Sequence, residues 1–91
     1  MDENTLLNQL EELAERLDIS VRYETTLEDF LLSHGGLCRL KDRYVIIVNK
    51  DISAAEKAKT LGLAIARFDL DTIYIRPGLR AFLSGFRGER Q

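Results

Sequence analysis

The sequence predicts a single α+β domain: a small, partly antiparallel sheet of three or four strands, packed by two long helices and a short C-terminal helix. Three observations lead there. Two stretches, near the start of the chain and after residue 52, repeat their apolar residues with helical spacing. Between them lies the run "YVIIVN", too short for a helix and rich in β-branched residues. The whole is 91 residues with no internal repeat and no low-complexity linker, so residues 1–91 form one domain.

The elements follow in order. In "NTLLNQLEELAERLD", Leu6, Leu10, Leu13 and Leu17 line one helical face. Asn4 or Thr5 is the expected cap, and Glu11, Glu12, Glu15 and Arg16 are expected to be wet. In "ISVRYET", Val21 and Tyr23 alternate with Arg22 and Glu24, the period of a half-buried strand. Thr26 and Asp29 resemble a capping box, so a single helical turn is expected there, and Phe30, Leu31 and Leu32 need burial. Gly35-Gly36 then turns the chain.

"LCRL-KD-RYVIIVN" reads as a β-hairpin turning at Lys41-Asp42. Its second arm is apolar on both faces, as a central strand would be. Ser53 and Glu56 form an S-x-x-E box that starts the second long helix. Ala54, Ala58, Leu61, Ile65 and Phe68 mark its core face. Leu63, Ala64 and Ala66 widen the apolar surface, so its C-terminal half is expected to be buried almost all round. Gly62 is poor in a helix, which points to a close packing contact. Ile73 and Ile75 supply the optional fourth strand. Pro77 opens the last helix, whose apolar face is Leu79, Phe82, Leu83 and Phe86, with Arg80 pointing elsewhere. Residues 87–91 form a polar tail expected to fray.

Composition excludes several chemistries. One cysteine, Cys38, rules out an internal disulfide and a four-cysteine zinc site. One histidine, His34, cannot supply the pair used by typical zinc enzymes. There is no glycine-rich phosphate loop, and no cofactor is expected. The acidic start and the lack of a long apolar run argue for a cytoplasmic protein without a membrane span.

The segment "VRYE…GGLCRLKDRYVIIVNKDISAAEKAKTLGLAIAR" resembles the N-terminal half of the ImmA/IrrE-type zinc metallopeptidase domain over about residues 20–68. In that family a strand after the first helix is followed by a hairpin closed by "VN" or "IN", here Val48-Asn49. The active-site helix comes next, and Thr60-Leu61 falls at its "TL". The resemblance places Leu63 and Arg67 at the two zinc histidines and Ala64 at the general-base glutamate. Leucine and alanine offer a metal no lone pair, and arginine repels one. The resemblance therefore implies a zincin-like scaffold without catalytic activity.

Two sets of residues remain as site candidates. His34 and Cys38 lie four apart and could form a reactive thiol beside a base; equally, they read as a loop histidine and a buried small residue. Arg67, Arg76 and Arg80, with Arg87 and Arg90, make the C-terminal region basic and are the candidate partner-binding residues. Asp69 and Asp71 flank Leu70 and could bind a cation, but two carboxylates alone are weak evidence, and Asp69 reads better as a helix-end or turn residue.

Charge is divided unevenly. Residues 1–34 carry nine acids and two bases, net −7; residues 35–91 carry eleven bases and six acids, net +5. Opposite patches of this kind attract within one fold or between copies. The expectation is a non-catalytic, bacterial-type interaction module: a homo-oligomer, most simply a dimer, or a binder of an unidentified protein. A hairpin strand extending the sheet across a two-fold axis is one route to it. Nucleic acid is a weaker expectation, because the chain is acidic overall and lacks evident exposed aromatics among its bases. Thiol chemistry at Cys38 is the other alternative.

Overall fold

The computed structural model describes residues 2–25 and 36–88. The capping box at Thr26 and Asp29, the apolar Phe30–Leu32, His34 and the last residues of the tail lie outside them.

Helix α1 runs from Glu3 to Arg16. Its cap is Asp2 rather than Asn4 or Thr5: the Thr5 backbone N–H donates to Asp2 Oδ1 at 2.7 Å, and the Asp2 carbonyl already accepts from Leu6. The bond from Thr5 holds the Asp2 carboxyl below its ordinary value of 3.8. This cap therefore helps above the carboxylate range and fades as pH falls through the lowered value. Leu17 closes the helix, and Asp18, at φ 65°, turns the chain into strand β1, Ile19–Glu24.

Strand β2, Leu37–Leu40, and strand β3, Arg43–Asn49, form the predicted hairpin. Leu40 pairs with Arg43, leaving Lys41-Asp42 as a two-residue loop. Only Lys41 has positive φ, at 57°, which is the type II′ pattern that right-twisted strands favour. The sheet order is β1-β3-β2, with β1 parallel and β2 antiparallel to β3. The β-branched run thus forms the central strand, as its two-faced apolarity predicts.

The register sorts the faces. Ile19, Val21 and Tyr23 pair with Tyr44, Ile46 and Val48, and Leu37 pairs with Ile46, so these share the face that meets the helices. Helix α2, Ala54–Ile65, starts at Ser53, whose Oγ accepts from the Glu56 N–H at 3.2 Å. Helix α3 runs from Pro77 to Gly88. It is as long as α2, 12 residues, not a short terminal piece. Helices α1 and α2 pack on each other and on the same sheet face, and α3 packs across both. Leu10, Leu13, Ile46, Val48, Leu61, Ile65, Leu70 and Leu83 are the largest fully buried side chains.

Two glycines are required by close approach. Gly36 has φ +83°, and its carbonyl accepts from the Ile47 N–H. Gly62 lies under the C-terminal helix, where an added Cβ would meet ring atoms of Phe86 at 2.6 Å and Phe82 at 2.7 Å.

Residues 73–75 are not a strand, so the sheet has three strands among the described residues. The segment is held otherwise. Leu70 and Ile75 are buried, and the Arg80 guanidinium donates to the carbonyls of Leu70 and Ile73 at 3.4 Å each. The Asp71 N–H donates to Asp69 Oδ1 at 3.0 Å, so Asp69 is a turn residue as expected.

Candidate functional site

Helix α2 presents its core face through Ala58, Leu61 and Ile65, and its opposite face to solvent. Leu61, Gly62, Ala64, Ile65 and Ala66 are buried, so this end of α2 is covered almost all round as expected; Leu63 is the exception, on the outer face and 45% exposed. The reason is geometric. Ala64 and Ala66 are covered by neighbouring elements, but Leu63 is about half a turn from the core side of the helix and no described element covers it. Lys59 precedes Leu63 by four residues and Arg67 follows it by four, and both are exposed. Exposed Leu63 is thus flanked along the chain by Lys59 on α2 and Arg67 just beyond its end.

The three candidate arginines have different surroundings. Arg67 is exposed just beyond α2. Arg76 accepts the Arg80 N–H at its carbonyl and so caps α3; its side chain lines a cleft against α1. Arg80 lines a smaller hollow with Leu70, Ile75, Leu83 and Ser84, and its guanidinium is engaged with the 70–73 backbone. Arg80 is a structural residue here, not a free contact. The side chain of Arg87 and all of Arg90 are outside what is described.

Cys38 is half-buried in β2, opposite Val45 on the sheet face away from the helical core. Its neighbour Arg39 points to the core face, with its guanidinium 5.6 Å from the centre of the Tyr44 ring. Tyr44 in turn meets Phe68 edge-on at 5.0 Å. Among the described residues no group of three or more histidines, cysteines and acids is placed to hold a metal ion.

Two features escaped sequence reasoning. Tyr74 is 68% exposed, two residues before Arg76, so an exposed aromatic does sit among the bases. Second, Tyr23 donates its hydroxyl to Glu11 of α1, and the Lys57 ammonium of α2 stands 5.6 Å from its ring centre. Glu11 is therefore engaged rather than simply wet. This cluster ties α1, β1 and α2 together. The residue types were visible in the sequence, but their convergence depends on the parallel pairing of β1 with β3.

Burial first, and then the hydrogen bond to Glu11, raises the Tyr23 phenol above its ordinary value of 10.0. The fold therefore favours the neutral phenol. Its contribution is complete below the unfolded value and is lost as pH climbs towards the raised folded one. Stability should fall above pH 10, and the Tyr23→Phe variant should show a flatter fall between about pH 10 and 11 in urea titrations. Identical slopes would contradict the assignment.

Within the described residues no helix is long and apolar enough to cross a membrane. No protein family, curated protein or solved structure matches the chain.

Proposed function

We propose that this protein is a non-catalytic interaction module whose principal contact is a second copy of itself. It is built on a scaffold resembling the N-terminal half of ImmA/IrrE-type peptidase domains. The observation that carries the proposal is the outer face of α2, where exposed Leu63 stands between Lys59 and Arg67. On the peptidase scaffold Leu63 and Arg67 fall at metal-ligand positions and Ala64 at the general base. Here the first two face solvent and Ala64 is buried. An apolar anchor ringed by charge suits binding of a protein, not activation of water.

The partner follows from charge. Helix α1 exposes Glu12 and Glu15, and α1 and α2 lie side by side on one face of the sheet. One layer therefore carries an acidic helix beside a basic one. A two-fold rotation lays α1 of each copy on α2 of the other and satisfies both at once. Little of the charge is neutralised internally: Arg43–Asp18, at 3.2 Å, is the one ion pair between the acidic and basic parts among the described residues. Edge pairing through β2 is less favourable, because Arg39 in that strand and Lys41 in its loop bring like charge to the edge.

Sedimentation velocity at low and high salt tests this. The expected result is a dimer at low ionic strength that dissociates as salt is raised, and a monomer for Leu63→Glu that remains folded. A monomer under all conditions would remove self-association. A dimer indifferent to salt would remove its electrostatic basis.

A further inference from the structure

We draw no further inference here: the strongest candidate, the sheet face turned away from the helices, where half-buried Cys38 and Ile47 stand with exposed Leu40 and buried Val45, is an apolar face for which nothing among the described residues shows what covers it.

Discussion

Leu61→Ala should destabilise the domain by about 2–5 kcal/mol, whereas Leu63→Ala, two residues away, should change it by no more than about 0.5 kcal/mol. Both are leucines of the same helix. Leu61 has no exposed surface and packs in the main core, while Leu63 is nearly half exposed. Truncating Leu61 removes transfer energy and leaves a cavity that the sheet on one side and the helices on the other cannot fully close. A domain of this size has only about 5–15 kcal/mol in all, so Leu61→Ala should come close to unfolding it at physiological temperature. Urea denaturation of the two variants at high salt, where the proposed dimer is dissociated, gives the comparison. Equal losses would mean that the placement of α2 is wrong, and with it the outward position of Leu63 on which the proposed dimer depends.

Gly62→Ala should lower stability by about 1 kcal/mol or more, against helix propensity, while Gly85→Ala should raise it by up to about 1 kcal/mol. Propensity alone favours alanine at both positions. At Gly62 the new methyl would lie under 3 Å from two aromatic rings that already meet edge-on at 5.1 Å, so relieving one clash strains the other. Overpacking of this kind typically costs about 1–3 kcal/mol and outweighs the gain. At Gly85 nothing lies within 4 Å of the added atom, so the gain is uncompensated. Thermal denaturation is sensitive enough, because each kcal/mol moves the midpoint by about 4–8 °C in a domain this small. A stabilising Gly62→Ala would mean that α2 and α3 do not approach as closely as the glycine allows.

Much of the fold was legible in the sequence because it rests on local signals. The leucine stripe of α1, the Ser53 cap, the turn at Lys41-Asp42 and Pro77 at the start of α3 each depend on a few neighbouring residues, and each falls where expected. The central place of β3 was legible from its apolarity on both faces. Features set by distant packing were not. Apolar character at Leu63 suggested burial, but only the arrangement of α1 and α3 decides which flank of α2 stays open. Ile73 and Ile75 have strand-like spacing, yet their segment is tied to Arg80 instead of to a neighbouring strand. The cleft that Arg76 lines against α1 was hidden for the same reason: Glu12 and Arg16 read as solvated, and only the placement of α3 brings them to one cleft with Arg76.

The strand order β1-β3-β2 also governs what the chain can do while it is being made. The first helix and strand emerge with no sheet to join, because among the described residues β1 has no hydrogen-bonded neighbour other than β3, whose last residue is Asn49. Until then the leucines of α1 have none of the partners they meet in β3 and α2, and a nascent segment of that kind is prone to stick to its surroundings. Residues 1–34, which include this helix and strand, carry nine acids against two bases. Mutual repulsion among like-charged nascent segments keeps them apart during this interval. The acidity of residues 1–34 thus acts on the unfinished chain through repulsion alone, before the opposite charges of the finished fold are in place.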